Sequence, residues 1–598
     1  MDDQHNLIDY YEGVLQTVAL HLIDKHKAET VNPSEYDTKQ FSGSFKVKQG
    51  NHMIILSIPY HFPDEFPTIL IPQPYFSNIY PIPHLNKHQV LCTFDPVESH
   101  PNAENPVGVI DEVIKRAFYL INSGVKGLNS SDYLDEFESY WWQEASSRIL
   151  TLIDFPKEPQ EMYLISFSHP TWDASLLATN SLFDGIQWLK QAGATTDGEY
   201  RKALYLPLLS IGQPPFPATN GELIQRLRTT SPEALKPLIT FLDRNPRHST
   251  VLFSIPSSKG NILGAWEHNE AQKIKLNAHK SKRITQKGLK GFRAGHKNAF
   301  LELQRDFRDV SISTHMIVQV DKERLLTRGG DGSLIEDTRI GIVGCGSIGS
   351  HVAKSVSDMG IHRMLLVDKD ILTFENIARH LCGAVDVGKN KVDALHGHLA
   401  SHLPHSENTT YNGDVLTILR DYQSLLDQCD FTIVAVGHLP TELRLNDLQR
   451  KGNIAKPILY VWVEPYLAGA HAAFIHPGYI GCLKCLFDEQ HAFKQNVLEN
   501  PGQYSIREAG CQSAFVPYNV LEVKRFIHHL MFFIQDILTG KINENLLFTW
   551  IGDLTIQKMN GRRIAGRWAA AENYITRRVT LRNFQGCEVC SSASLQIR

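Results

Sequence analysis

At 598 residues the chain is too long for a single hydrophobic core, so two to four domains are expected. Charged residues make up 21% and apolar residues 42%, and the formal net charge of −4 argues against a general nucleic-acid or membrane binder. No window is apolar for long enough to cross a bilayer, and the opening MDDQHNLIDYYEG is acidic where a secretory leader is basic, so a cytoplasmic location is expected. In that compartment nine cysteines, several in C-x-x-C pairs, read as metal ligands and reactive thiols before disulfides.

Apolar residues recur at helical spacing over residues 8–23 and predict a first amphipathic helix. Residues 41–47 and 53–58 read as strands around Gln49-Gly50-Asn51, a good hairpin turn. A proline-studded stretch from Pro59 to Pro67 leads to His84-Leu85-Asn86-Lys87-His88-Gln89-Val90-Leu91-Cys92, and a helix is expected over residues 109–121. This order of helix, meander, proline segment, His-x-Asn and cysteine resembles the ubiquitin-conjugating enzyme fold, an α+β domain, over residues 1–150. The resemblance implies that a strained loop presents Cys92 as a thioester carrier, that Asn86 stabilises the oxyanion when a lysine attacks, and that His84 holds the turn. The family's His-Pro-Asn has become His84-Leu85-Asn86, which leaves the shape of the loop open.

Residues 151–308 carry no motif with a mechanism. Strand-like runs at 162–167 and 251–254 alternate with a helical one at 181–191, so an α/β linker domain is expected. Basic residues accumulate from Lys273 to Lys297, read as a solvated face, with docking of an acidic partner as the other reading.

From residue 309 to 598 the pattern changes. A short β-branched strand, Ile340 to Val343, ends at Gly344-Cys345-Gly346-Ser347-Ile348-Gly349, after which a helix begins: strand, glycine turn and helix N-terminus together form a phosphate site. A second strand over 364–367 delivers Asp368, placed to accept ribose hydroxyls. Alone, this fingerprint suits a nicotinamide dehydrogenase as well as an ATP enzyme. The continuation Asp368-Lys369-Asp370, Asn376-Ile377-Ala378-Arg379 and Gly388-Lys389-Asn390-Lys391 brings cations and amides to the same mouth, as a triphosphate requires. The series resembles the ThiF-type adenylation domain of ubiquitin-activating enzymes and bacterial sulfur-carrier-activating enzymes, with a Rossmann-like fold. That resemblance implies ATP and Mg2+ as cofactors, with Arg379 and Lys391 on the phosphates. It also implies an arginine from the approach segment, for which Arg324 and Arg328 are candidates. In relatives the strand at 431–436 leads to a magnesium-binding aspartate, whereas here it runs into Gly437-His438. Glu442 and Asp370 are the carboxylates left for that task; the alternative is weakened catalysis.

Cys482-Leu483-Lys484-Cys485 and Cys587-Glu588-Val589-Cys590 supply four thiolates that can surround one structural Zn2+. Cys511 stands apart, after a polar stretch from 488 to 507 that reads as a mobile crossover loop and before a helix over 520–534. It is the expected activating nucleophile. Cys345 is read as present for its small size, Cys382 and Cys429 as core residues.

The whole, an α/β multidomain chain, resembles the fused activating and conjugating enzymes of bacterial CBASS antiphage operons. Family membership implies a thioester relay from Cys511 to Cys92 and then to a lysine of an acceptor protein. The implied acyl substrate is the C-terminal tail of a cGAS/DncV-like nucleotidyltransferase, and the implied assembly is a homodimer with neither membrane nor nucleic acid as a direct partner. Two rivals stand beside it: a sulfur-carrier-protein adenylyltransferase, which has no use for Cys92, and a catalytically weakened nucleotide-binding scaffold.

Overall fold

Alternating apolar residues place a five-stranded antiparallel meander first: β1 Glu29–Thr30, β2 Gly43–Gln49, β3 His52–Ile58, β4 Thr68–Leu70 and β5 Val90–Leu91, paired in that order. Gly50 turns β2 into β3 at φ +59°, a conformation free of Cβ strain only for glycine. Helices Asp2–His26 and Pro106–Val125 pack on this sheet, burying Val18, Leu22, Val113 and Ile121 against Ile54, Leu56 and Ile69. The second helix starts where its sequence dictates, with Asn105 accepting from Gly108 N at 3.0 Å and Pro106 in the first turn. The computed structural model describes residues 2–31, 42–95, 98–153, 155–245, 248–257, 260–269, 308–329, 338–422, 424–507, 514–582 and 587–591. Cys511 and the basic run from Lys273 to Lys297 lie outside these residues.

The region expected as an α/β linker does mix helices, Asn220–Thr230 and Leu235–Arg244, with strands, and the strands close into a barrel. Its strands are β6 Ala145–Thr151, β7 Gln160–Ser166, β8 Ala174–Thr179, β9 Tyr200–Pro207, β10 Ser249–Ser257, β11 Gly260–His268 and β12 Ile312–Gln319, in the circular order β10-β11-β12-β6-β8-β7-β9. Two parallel pairings, β12 with β6 and β10 with β9, join strands far apart in sequence. The barrel therefore starts before residue 151 and ends after residue 308. Helix Phe137–Glu144 ties it to the meander: Phe137 and Trp141 enter the barrel core, and Trp141 Nε1 donates to His315 O at 3.0 Å.

One buried histidine makes this barrel pH-sensitive. His268 receives a hydrogen bond from Trp266 Nε1 at 2.9 Å and meets Asn220 Oδ1 at 2.7 Å, and burial lowers its pKa to about 4. The unfolded chain, at about 6.5, binds that proton first, so stability present above pH 6.5 is lost as pH falls toward 4. At pH 5 the loss attributable to His268 is about 2 kcal/mol. Urea midpoints at pH 7 and pH 5 should show wild type losing that much more than His268→Gln; equal losses would remove the assignment.

By density of contacts the chain divides into two units, residues 1–185 with 196–319 and residues 186–195 with 320–598. The second is built on an eight-stranded sheet. Its members are β13 Arg339–Val343, β14 Arg363–Asp368, β15 Thr409–Asn412, β16 Phe431–Val434, β17 Ile458–Val463 and β18 Gly469–Ile475. After a small pair, β19 Ile506–Arg507 with β20 Ala514–Phe515, the sheet is completed by β21 Leu546–Ile551 and β22 Thr576–Thr580. The order is β15-β14-β13-β16-β17-β18-β21-β22, parallel from β15 to β17 and antiparallel beyond. Since β14 and β16 flank β13 on opposite sides, the strand order reverses there and leaves a crevice at the carboxyl ends of the strands. Helices Ser347–Asp358 and Val520–Leu538 cover the sheet through a shared core that includes Val352, Val356, Phe526 and Leu530. Among the described residues no helix is long and apolar enough to cross a membrane.

Candidate active site

Cys92 follows β5 directly, and its loop is a miniature antiparallel ladder. Asn86 N donates to Val90 O at 3.0 Å and Cys92 N to His84 O at 2.8 Å, which makes Leu85 and Leu91 an opposed pair. Side chains alternate along such a ladder. Leu85 and Leu91 are therefore both in the core, while His84, Asn86, Val90 and Cys92 share the outer face. The leucine in place of the expected proline is a core plug, and the loop keeps its turn by other means: His84 stands at φ +67° and Gln89 at φ +68°. His84 is held there by acidic and phenolic groups from residues 132–140. Its Nδ1 meets Glu136 Oε1 at 2.6 Å, its Nε2 meets Asp132 Oδ2 at 3.1 Å, and its backbone N–H donates to Tyr140 Oη at 2.6 Å. The hydrogen bond to Glu136 raises the His84 pKa, with Asp132 adding to it.

Asn86 spends its carbonyl on the loop, Oδ1 accepting from His88 N at 2.9 Å and Val90 N at 3.0 Å. Among the described residues its Nδ2 is left as the donor available to a substrate. Cys92 is exposed, at the end of the ladder away from the turn. Partial desolvation, then the Glu136 and Asp95 carboxylates, raise its thiol pKa, with Arg116 pulling the other way.

In the second unit the glycine turn is a cradle that side chains would fill. Gly344 sits at φ +89°, where a Cβ would lie 2.7 Å from Ala435 O; a Cβ on Gly349 would lie 1.8 Å from Gly344 O; Gly346 faces open space. Asp368 braces the turn, Oδ2 accepting from Cys345 N at 2.7 Å and Oδ1 from Asp370 N at 2.9 Å. Asp370 pairs with Lys391 at 2.8 Å, and Asn376 Oδ1 closes its own turn on Thr373 N at 3.1 Å. A cavity of about 880 Å³ opens from Gly346 and Ser347 past Arg379 and Glu442 toward Trp462, Phe487 and Phe493. Arg379 lies 5.2 Å over the Tyr518 ring. Lys391, Asp370, Asn376 and Asp368 do not line this cavity. Arg324 is exposed on helix Lys322–Gly329, and the Arg328 side chain lies outside the described residues. Burial raises the Glu442 pKa to about 7.

Two supports were invisible in the sequence. His380, buried, donates from Nε2 to Cys345 O at 2.7 Å while Nδ1 accepts from Cys382 N at 3.0 Å, which fixes its tautomer and clamps the turn. Glu464, also buried, takes Val497 N at 2.6 Å and Leu498 N at 2.8 Å, and His471 Nε2 at 2.9 Å. The stretch expected as a mobile crossover loop is therefore anchored at its middle, with Val497 and Leu498 in a core with Ile551, Leu554 and Trp568.

The four paired cysteines converge. Sγ···Sγ separations are 3.8 Å for Cys482 to Cys485 and to Cys587, and 3.6 Å for Cys485 to Cys590. A tetrahedron with Zn–S bonds of about 2.3 Å has edges of about 3.8 Å, so the set fits zinc. As thiols they crowd one another: the hydrogen bond with Cys485, and burial, push the Cys482 thiol up. A divalent cation allows four thiolates to coexist there. Asn446 Oδ1 holds Leu483 N at 2.9 Å and Asn545 Nδ2 holds Gly481 O at 2.9 Å, fixing the first knuckle to the sheet. Cys345, Cys382 and Cys429 are buried.

Comparison with known proteins agrees with this division. Residues 326–517 match the ThiF family and residues 21–150 match the prokaryotic E2 family B. The chain is a fused protein with a ubiquitin-conjugating-like and a ubiquitin-activating-like, ThiF-type part. It is similar to three bacterial proteins named ATP-dependent ubiquitin transferase-like protein Cap2. One, from Escherichia coli (strain TW11681), is 22% identical over 486 residues, 73% of this chain and 77% of that protein. The match to the Pseudomonas aeruginosa (strain BWHPSA011 / Pa011) protein is 26% identical over 34% of this chain and 36% of that one. That to the Enterobacter hormaechei subsp. hoffmannii (strain UCI 50) protein is 32% identical over 15% of each.

Proposed function

We propose that the chain adenylates the C-terminal carboxylate of a substrate protein, carries it as a thioester on Cys511 and then Cys92, and ligates it to a lysine. The single observation that carries this reading is the loop at Cys92, where an exposed thiol and an amide donor share one face in a chain that also bears a nucleotide cradle. ATP, when bound, supplies the leaving group that makes the carboxylate reactive. Gly346 offers an open backbone to phosphate, Arg379 supplies positive charge from the cavity wall, and Lys391 would add a second charge on releasing Asp370. In the relay the Cys92 thiol gives up its proton as it forms the new thioester and Cys511 leaves as thiolate. The lysine amine then forms the amide, loses a proton and releases the Cys92 thiolate, with Asn86 Nδ2 donating to the tetrahedral oxyanion. Likeness to proteins named ATP-dependent ubiquitin transferase-like supports the transferase part of this reading. On the same reading the substrate is a cGAS/DncV-like nucleotidyltransferase tail, the setting is CBASS antiphage defence, and the working form is a homodimer in the cytoplasm. Zn2+ would be held by Cys482, Cys485, Cys587 and Cys590, and Mg2+ would accompany the nucleotide.

Pyrophosphate exchange into ATP, dependent on a protein with that tail, tests the first step. Lys391→Ala is expected to weaken ATP binding by roughly ten- to a hundredfold, the scale of one charge-assisted phosphate contact. Unchanged ATP affinity would remove Lys391 from the site, and absence of exchange with every tail would favour a scaffold.

A further inference from the structure

The cavity beside the glycine turn contains two carboxylates in its described wall, Glu442 and Glu464, and they differ in what their oxygens already do. Glu464 is committed: His471 and Val497 share Oε1 while Leu498 takes Oε2. Glu442 lies in the first turn of helix Leu439–Arg450, only 5% exposed. Among the described residues it meets only backbone N–H groups at the start of its own helix, Oε1 accepting from Gly437 N at 3.2 Å with His438 beside it, and no cation. A carboxylate so buried is costly without a counter-charge, and its burial accordingly raises its pKa. Beneath it the buried Tyr460 hydroxyl has no hydrogen-bond partner among the described residues, and it is near enough that the Glu442 charge reinforces the burial holding its proton. Asp368 accepts two backbone N–H bonds, and neither it nor Asp370, which pairs with Lys391 in this structure, lines the cavity.

Glu442 follows β16, the neighbour of β13 at the point where strand order reverses, so its helix begins at the crevice that holds Gly346 and Ser347. A divalent cation bound with a triphosphate takes oxygen ligands and keeps most of its sites on phosphate and water, so it needs one or two protein carboxylates. We infer that Glu442 is the carboxylate that holds this cation against the nucleotide phosphates, in place of Asp370. The inference rests on the nucleotide-binding reading above.

The test uses the full chain with Mn2+ as probe, its binding at saturating ATP followed by electron paramagnetic resonance. Glu442→Gln, close in size and shape, is expected to raise the Mn2+ dissociation constant by about ten- to a hundredfold, the scale of one lost charge-assisted contact, with metal-free ATP binding no weaker than in wild type. Glu442→Asp, which keeps an oxygen ligand on a shorter arm, should fall between, and Asp370→Asn should keep the wild-type Mn2+ affinity. Wild-type Mn2+ affinity in folded Glu442→Gln, or a larger loss in Asp370→Asn, overturns the inference alone. A wild-type chain that takes up no ATP, with or without metal, overturns the nucleotide reading and the inference together.

Discussion

Cys92→Ala is expected to abolish reductant-resistant conjugates while a reductant-sensitive thioester accumulates on Cys511, because removal of the carrier thiol stops the relay at its second step. Cys511→Ala should remove both thioesters and leave adenylation intact. Asn86→Ala should load Cys92 normally yet slow discharge to lysine by about 100-fold, the usual cost of one oxyanion donor. Because Asn86 Oδ1 also braces the loop through His88 and Val90, alanine alone confounds catalysis with loop shape. Asn86→Asp keeps that acceptor but puts a charged carboxylate oxygen where the Nδ2 donor stood, which also repels the oxyanion, so it should discharge at least as slowly as the alanine variant. Non-reducing gels with ATP and the cognate tail, repeated after reductant, read all four variants. Conjugates at the wild-type rate in Cys92→Ala would end the relay proposal, and wild-type discharge in Asn86→Asp would end the assignment of the donor.

Elemental analysis of chain purified without chelator is expected to find one zinc, and Cys482→Ser to reduce it to near zero. Such a metal would join a knuckle held by Asn446 and Asn545 to a C-terminal one at Cys587 and Cys590, a closure of about a hundred residues. Structural zinc in small domains carries on the order of 10 kcal/mol of apparent binding free energy. The eight-stranded sheet has its own core, so only part of this should appear as lost stability; ~4 kcal/mol would lower Tm by roughly 10 °C. Early proteolysis near the C-terminus should accompany the shift. Full stability and wild-type protease resistance in metal-free Cys482→Ser would reduce the site to an adventitious thiol cluster.

Local features were legible in the sequence wherever neighbours in the chain do the work. The strand, glycine turn and helix at residues 339–358 are written as a β-branched run, three glycines and a 3.6-residue period, and Gly344 and Gly349 have local reasons in φ and in a close backbone approach. The cysteine spacing likewise announced the four-thiol cluster, since each knuckle is closed by the chain around it. The barrel between them was not legible, because β6 pairs with β12 and β9 with β10 across long separations, and strand-like runs alone do not say which partner they find. Nor was the anchoring of 497–498: a polar stretch reads as a loose loop, and only the fold brings the Glu464 carboxylate to its backbone N–H groups. Residue types and their spacing thus determined the glycine turn, the four-cysteine cluster and the exposed thiol that follows β5. Which carboxylates are spent on ion pairs or backbone and which face the cavity was decided only in three dimensions, because a side chain's availability depends on partners the chain brings to it from elsewhere.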